Sequence, residues 1–245
     1  MLFVDLLGVR AMNRGPQRAV RSNLIALERA VSGMYRDYLE PDSPWPGALF
    51  SDTLVLAAPV PDQDGGAEVA LGGLVLQACW LQLNLIDQGF FMRGALALGD
   101  FYIRDGVIFG PALVDAAELE HDVAVHPRII LSREAEKSQR RALRDYADPQ
   151  QAPQDGALTC DGDGWTFINY LSVLLDETDD PRAGLRMHRD RIVARLAETR
   201  ARKRVWEKYR WAAEYHNEFV GRTFAAEVDL LVPIDAMTWE FTRFV

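Results

Sequence analysis

Residues 48–60, ALFSDTLVLAAPV, are apolar except at Ser51, Asp52 and Thr53. This pattern predicts either two short strands that meet near Ser51–Asp52 or one long strand. A carboxylate beside a hydrophobic core is costly unless something pairs with it. Residues 2–7, LFVDLL, raise the same question, because Asp5 interrupts an apolar run that Gly8 closes as a strand ending in a turn.

Helices and strands alternate outward from these two runs. Periodicity and turn residues predict helices over 16–38 and 67–87, a hairpin at Asp105–Gly106, a helix from Pro111, a strand at 127–132, a surface loop at 140–157, a hairpin around Asp161–Gly164 and a helical stretch from Arg182 to about Phe219. The order predicts an α+β fold with a ferredoxin-like (split βαβ) core and an added C-terminal hairpin and helices. We expect one domain over 1–245, with its core at 1–132 and an accessory part at 133–245.

The charge of the chain limits its partners. A net charge of −9 and a sequence pI of about 5.0 argue against a general nucleic-acid binder. Residues 182–210 nevertheless contain eleven Lys or Arg and three acids. This basic run fits either a solvated helix face or a cationic wall that faces a polyphosphate or an acidic partner.

Cysteine content and hydropathy indicate the compartment. Cys79 and Cys160 form no disulfide framework and lack metal-ligand spacing. We see no signal peptide and no apolar run approaching the ~20 residues that span a bilayer. We therefore expect a cytoplasmic protein with no direct membrane association.

Asp5 and Asp52 are the candidate metal ligands. In a split βαβ core their strands are neighbours, so the two carboxylates would repel unless a cation lay between them. Two carboxylates and a backbone carbonyl suit Mg²⁺ or Mn²⁺, with water and substrate phosphate completing the ligand set. The glycine turn that follows Asp5 could present backbone N–H groups to phosphates, with Arg10 in reach of the same anions.

Several motifs together resemble those of class III nucleotidyl cyclases. They are FVDLLGVR (3–10), FSDTLVLA (50–57), MRGALALGD (92–100) and IFGPALVDAAELE (108–120), and the resemblance covers roughly residues 1–132. It implies that Asp5 and Asp52 hold two divalent metal ions and that Leu6 lends a backbone carbonyl. It also implies that Gly8, Val9 and Arg10 wrap the triphosphate.

The chain departs from ordinary adenylate and guanylate cyclases at three positions. Val114 and Glu118 stand where those enzymes carry the Asn and Arg that stabilise the transition state, and Val107 stands where an acid reads adenine. With HPRIIL (126–131) and KYRWAAEYHN (208–217), the chain is similar to the stand-alone pyrimidine cyclases of the Pycsar antiphage system. That resemblance implies synthesis of cyclic UMP, or less favourably cyclic CMP, which a separate effector protein reads.

Other residues must then supply the missing contacts. Arg93, which interrupts an apolar strand, is the first candidate for the cation that faces the developing charge, and Lys208 and Asn217 are further candidates. Phe50 and Ser51 could meet the base by stacking and by a hydroxyl hydrogen bond. Because class III cyclases build their sites between two catalytic domains, we expect a homodimer with composite active sites.

Two other functions remain open. A degenerate cyclase-like module that binds a nucleotide and signals by dimerisation would explain Val114 and Glu118. A diguanylate-cyclase or polymerase relative would need a Gly-Gly-Asp-Glu-Phe type of turn, which FSDT (50–53) is not.

Overall fold

The computed structural model describes residues 1–9, 16–38, 46–104, 107–144, 148, 156–225 and 227–237, and the chain divides into two compact units, Met1–Val173 and Leu174–Val245. The strands are β1 (Leu2–Leu6), β2 (Gly47–Phe50), β3 (Thr53–Leu56), β4 (Met92–Leu96), β5 (Tyr102–Arg104), β6 (Val107–Phe109), β7 (Ile129–Leu131), β8 (Leu158–Cys160) and β9 (Thr166–Ile168). The α-helices are α1 (Gln17–Tyr38), α2 (Gly66–Asp87), α3 (Pro111–Asp122), α4 (Arg133–Leu143), α5 (Val173–Glu177), α6 (Pro181–Thr199) and α7 (Lys203–Thr223), and a 3₁₀ helix covers Ile234–Met237. The chain is therefore α+β, as the sequence predicts.

Seven strands form the main sheet, in the order β2-β3-β1-β4-β7-β9-β8. β1 lies between β3 and β4 and pairs antiparallel with both. β2 pairs antiparallel with β3. β4 and β7 are parallel, and β9 pairs antiparallel with β7 and β8. β5 and β6 form a separate two-stranded sheet.

β1 shows why the sheet forms around it. Leu2, Val4 and Leu6 are buried on one face, whereas Phe3 and Asp5 are half-buried on the other, as the two-residue period of a strand requires. A side chain at Gly94 of β4 would place a Cβ 2.3 Å from the carbonyl oxygen of Phe3, so only glycine allows this close pairing of β1 and β4.

α2 is apolar and long enough to cross a membrane, but 61% of its most apolar window is buried inside the protein. It packs against α1 and α4. A core helix of a soluble protein has this composition and this burial, so α2 is weak evidence for a membrane span.

Most predicted elements are confirmed, with three differences. Residues 140–143, predicted as loop, continue α4, which the sequence reading missed. The helical stretch after Arg182 is two helices, α6 and α7, separated at residues 200–202. β8 and β9, predicted as a hairpin of the accessory part, pair with the main sheet, and the first unit continues to Val173. The β5–β6 hairpin is confirmed by its strand pairing, although Asp105 and Gly106 lie outside the described residues.

Candidate functional site

A row of three side chains crosses the sheet near the end of β1. Asp5 pairs directly with Thr53 on β3 and with Arg93 on β4. Directly opposed residues of antiparallel strands project to the same face, so these three side chains lie side by side. The half-buried Asp5 is thereby bordered by a hydroxyl and a guanidinium.

Asp52 lies in the two-residue turn that joins β2 to β3, immediately before Thr53. The backbone N–H of Leu6 donates to the carbonyl oxygen of Asp52 at 3.0 Å, which holds this turn against the end of β1. Ser51 adopts φ +58°, a conformation uncommon for a residue other than glycine. The register and this hydrogen bond therefore bring Asp5 and Asp52 to the same end of the sheet, as two short strands and not one long strand.

The Asp52 side chain is half-buried, and its carboxylate makes no hydrogen bond or ion pair with the described residues. A partly buried carboxylate without a protein partner is a feature that needs an explanation. The arrangement suits a bound cation or a ligand that donates hydrogen bonds.

The donors at this end fit a hard divalent cation only in part. Asp5 and Asp52 offer carboxylate oxygens, which Mg²⁺ and Mn²⁺ prefer. The described residues contain no group of three or more His, Cys, Asp or Glu that could hold a metal ion. A metal here would therefore need backbone carbonyls, water and substrate phosphate as further ligands, the mode in which Mg²⁺ is usually bound.

The turn after β1 is the predicted phosphate-binding segment. Gly8 is exposed and has φ +90°, which favours glycine at this position. The N–H of Leu7 already donates to the carbonyl of Phe91 at 2.7 Å, and the side chain of Val9 is buried. Arg10 lies outside the described residues.

The side chain of Arg93 is held by contacts with α3 and with the residues that follow it. Its guanidinium forms an ion pair with Glu120 at 2.6 Å and donates to the carbonyl of Ala124 at 3.3 Å. Glu120 is buried and lies on α3. The positive charge of Arg93 is therefore balanced within the protein, and the pair fixes β4 to α3 beside Asp5.

Glu120 is not among the predicted site residues, although the sequence contains a signal for it. Ala112, Ala116 and Glu120 are spaced four residues apart and are all buried, so they form one inward-facing stripe of α3. A carboxylate on a buried stripe requires a cationic partner, and Arg93 interrupts the otherwise apolar strand MRGAL (92–96).

Phe50 and Ser51 lie where a ligand at the Asp52 turn could reach them. Phe50 is 83% exposed, although it is a large apolar side chain at the end of a strand. Ser51 is exposed as well. An aromatic ring held in water at the rim of a site is suited to stacking on a planar ligand.

Lys208 and Asn217 lie on α7, in the second unit. The Asn217 side chain donates to the carbonyl of Val232 at 3.0 Å and accepts from the N–H of Val232 at 2.8 Å. This contact ties the segment after α7 to the helix and accounts for Asn217 without a catalytic role. Lys208 is half-buried, and its role stays a prediction.

His216, next to Asn217, belongs to a buried pair with His188 of α6. Their Nδ1 atoms are 2.9 Å apart, and Nε2 of His216 lies 2.8 Å from the carbonyl oxygen of Leu230. Because a carbonyl can only accept, His216 donates from Nε2 and His188 donates from Nδ1. Burial lowers the pKa of His216 to about 4, so both rings are held neutral as part of the packing between the two helices.

Several arginines of the basic run over 182–210 form ion pairs with acids of the second unit. Arg182 pairs with Glu227, Arg195 with Glu198 and Arg210 with Glu214. These contacts favour the solvated helix face over the cationic wall.

A pocket of about 600 Å³ lies at the opposite end of the same strands. It is lined by Pro46 before β2, Pro59 and Val60 after β3, and Tyr102 and Ile103 of β5. β3 and β4 both run from the Asp5 end of β1 toward Leu2, so this pocket and Asp52 lie at opposite ends of the sheet. One copy of the chain cannot bring the two together.

Comparison with known proteins adds no evidence for function to the residues described above. The chain matches no protein-family model, no curated protein and no solved structure. The function is therefore argued from the motifs and the geometry of this chain.

Proposed function

We propose that this protein is a nucleotidyl cyclase that converts UTP, or less favourably CTP, to the 3′,5′-cyclic nucleotide and pyrophosphate. The observation that carries the proposal is the strand register that sets Asp5 beside the Ser51–Asp52 turn. The all-antiparallel order β2-β3-β1-β4 supports it, because a split βαβ unit gives this order and class III cyclases, whose motifs the chain resembles, are built on that unit. Asp5, Asp52 and the backbone of Leu6 would hold two ions, Mn²⁺ or Mg²⁺.

The reaction would be an internal phosphoryl transfer. The ribose 3′ oxygen attacks the α-phosphorus, the bond from that phosphorus to pyrophosphate breaks, and the 3′ proton leaves to solvent. Bound metal ions supply a lowered pKa for the 3′ hydroxyl and neutralise charge on the leaving polyphosphate. The backbone N–H groups of Gly8 and Val9 would position the triphosphate.

Base recognition would come from the β2–β3 turn. The exposed Phe50 ring offers a stacking surface, and the Ser51 hydroxyl can donate to or accept from the base edge. Val107, at the position of the acid that reads adenine in adenylate cyclases, is 53% exposed and offers no hydrogen bond from its side chain. The absence of a purine-reading acid there favours a pyrimidine.

The active site would be composite. The Asp52 end and the Tyr102 pocket lie at opposite ends of the sheet in one copy, and an antiparallel homodimer would bring one end of each copy to the other end of its partner. The protein would act in the cytoplasm as a second-messenger synthase in antiphage defence, and a separate effector protein would read the product.

A degenerate nucleotide-binding module is the second candidate function. The ion pair between Arg93 and Glu120 favours it, because Arg93 then presents little uncompensated charge to a transition state. Val114, which is 53% exposed where ordinary cyclases carry a catalytic Asn, favours it as well.

One experiment separates the two functions. The purified protein is incubated with each of the four ribonucleoside triphosphates and Mn²⁺ or Mg²⁺, and the products are resolved by chromatography and mass. The cyclase proposal expects cyclic UMP from UTP and little or no product from ATP and GTP. A folded protein that binds UTP and forms no cyclic product would establish the degenerate module instead.

The composite site has its own test. Asp52→Asn and Tyr102→Ala should each be inactive alone, since each removes one half of both sites. Mixing equal amounts should restore activity to roughly a quarter of the wild-type value, because half of the dimers are mixed and each mixed dimer holds one intact site. No recovery on mixing, with both variants dimeric, would exclude a site shared between copies.

A further inference from the structure

A second, smaller pocket lies between α4 and the β8–β9 hairpin. Its volume is about 190 Å³, and its walls include Leu131, Gln139, Leu158, Cys160 and Thr166. It lies at the β8 edge of the sheet, whereas the Asp52 turn adjoins the β2 edge. Nothing in the proposed cyclase reaction uses it.

Gln139 is the unusual residue of this pocket. Its side chain is 2% exposed, and neither Nε2 nor Oε1 has a hydrogen-bond partner among the described residues. Buried side-chain polar atoms in native proteins are nearly always bonded, because leaving them without a partner is costly. A donor and an acceptor on one buried amide therefore lie in the wall of a pocket with nothing to bond.

The two charged side chains that line the pocket, Glu136 and Arg140, pair with each other. The Glu136 carboxylate accepts from Arg133 at 2.9 Å, from Arg140 at 2.8 Å and from the Thr166 hydroxyl at 2.9 Å. Partial burial raises the pKa of Glu136, but the hydrogen bonds from Arg140, Arg133 and Thr166 outweigh it and lower the pKa below its ordinary value. An ionised, fully bonded Glu136 demands no charge from an occupant, so the pocket suits a neutral molecule.

The volume and the amide together define the class of ligand. A cavity of about 150 Å³ holds one benzene ring, so this pocket has room for a single six-membered ring with small substituents. A glutamine amide reads an edge that carries a donor next to an acceptor by two parallel hydrogen bonds. The apolar side chains of Leu131 and Leu158 would contact the faces of such a ring.

We propose that this pocket binds a neutral planar heterocycle of the size of a pyrimidine base, held by paired hydrogen bonds from the Gln139 amide. Binding requires the amide to turn from the wall toward the cavity. The proposal does not depend on the proposed cyclase activity, because its ligand, its residues and its readout are separate from those of the Asp52 turn.

Uracil is the probe, and 1,3-dimethyluracil, which has no N–H donor, is its matched control. Calorimetric titration of the full chain should show saturable binding of uracil and binding of 1,3-dimethyluracil at least tenfold weaker. Uracil should also slow alkylation of Cys160 by iodoacetamide, since Cys160 is exposed and lines the pocket. Cys79 is buried and reports unfolding in the same experiment.

Two variants assign the binding to Gln139. Gln139→Met keeps the length of the side chain and removes both polar atoms, so uracil affinity should fall at least tenfold while the fold persists. Gln82→Met is the control, because Gln82 is equally buried on α2, has an Oε1 without a partner, and lies outside the pocket. Its uracil affinity should be unchanged.

Should Gln139→Met fail to fold, Leu158→Trp on the edge strand β8 tests the same pocket by filling it, and uracil binding should be lost. Absence of uracil binding to the wild-type protein at 10 mM ligand would overturn the proposal. Equal affinity for uracil and 1,3-dimethyluracil would overturn it too, as would unchanged affinity in Gln139→Met.

Discussion

Two hairpins of the same sheet carry aspartate at the turn, two residues in one and a single residue in the other, and the protein provides a partner only for the two. Asp161 and Asp163, in the β8–β9 turn, both form ion pairs with Arg128, whose side chain is 1% exposed. Asp52, in the β2–β3 turn, has a half-buried carboxylate that makes no hydrogen bond or ion pair with the described residues. The first set stabilises the fold, whereas the second is available to a ligand. A motif such as an aspartate in a hairpin turn therefore acquires its role from the neighbouring strand.

The largest expected effect is on activity at the β2–β3 turn. Asp52→Asn should lower product formation about 10³-fold, because it removes a metal-binding carboxylate, and should change the free energy of unfolding by less than about 0.5 kcal/mol. Rates of cyclic UMP formation and urea unfolding curves measure the two effects. Asp163→Asn is the control from the other hairpin, and it should retain activity while losing stability. Loss of activity in both variants, with both folded, would remove the distinction between the hairpins.

A large effect on stability is expected at Arg128. Arg128→Met leaves Asp161 and Asp163 facing each other without their cation and should lower the free energy of unfolding by about 3 kcal/mol. Arg133→Met is the control. Arg133 is 53% exposed, pairs with Glu136 and lies over the Trp165 ring at 4.0 Å, so its loss should cost under about 1 kcal/mol. Similar losses of unfolding free energy in the two variants would show that the burial of Arg128 does not strengthen its ion pairs.

Acid titration should reveal the contribution of Asp163 to the stability of the β8–β9 hairpin. The effect should be smaller than that of Arg128→Met. Partial burial raises the pKa of Asp163, but hydrogen bonds from Arg128 and from the N–H of Trp165 outweigh it and hold the pKa below its ordinary 3.8. The folded state then binds fewer protons, so the stabilisation is present above pH 3.8 and is lost as the pH falls through the lower pKa of the folded protein. The amount should be below about 1 kcal/mol, since the carboxylate is 45% exposed.

Asp163→Asn measures this contribution directly. The difference in unfolding free energy between wild type and variant should narrow as the pH falls from 5 to 2.5. A difference that stays constant over this range would mean that ionisation of Asp163 plays no part in the stability of the β8–β9 turn.

How far the sequence predicts the fold depends on whether the signal is local. The alternation along β1 and the turn residues around Asp161–Gly164 predicted their strands because each pattern lies within a few residues. α4 was missed because its residues are mostly charged. Its Ser132 cap, which accepts from the N–H of Ala135, and its acidic first turn were signals that could have identified it.

The candidate site divides in the same way. Strand order allowed Asp5 and Asp52 to be placed together, since a split βαβ unit fixes which strands are neighbours. The four-residue spacing along α3 marks Glu120 as a buried acid, but Asp161 meets Arg128 from 33 residues away in the chain. The pairing of Arg128 with Asp161 arises from packing in three dimensions, for which the sequence contains no local signal.

The smallest effect on stability is expected at Phe50, where the comparison between the hairpins is sharpest. Phe50 is 83% exposed, so Phe50→Ala removes little buried surface and should change the free energy of unfolding by less than about 0.5 kcal/mol. If its ring stacks on the base, the KM for UTP should rise roughly 5- to 150-fold, because stacking contributes about 1–3 kcal/mol per base. Phe167 of β9 is a phenylalanine of the other hairpin for comparison: it is buried, and Phe167→Ala should destabilise the protein by about 3 kcal/mol or more. An unchanged KM in Phe50→Ala would contradict base recognition by the β2–β3 turn, even if Asp52 proves essential. The two phenylalanines would then differ only in burial, and the exposed ring would need a different partner.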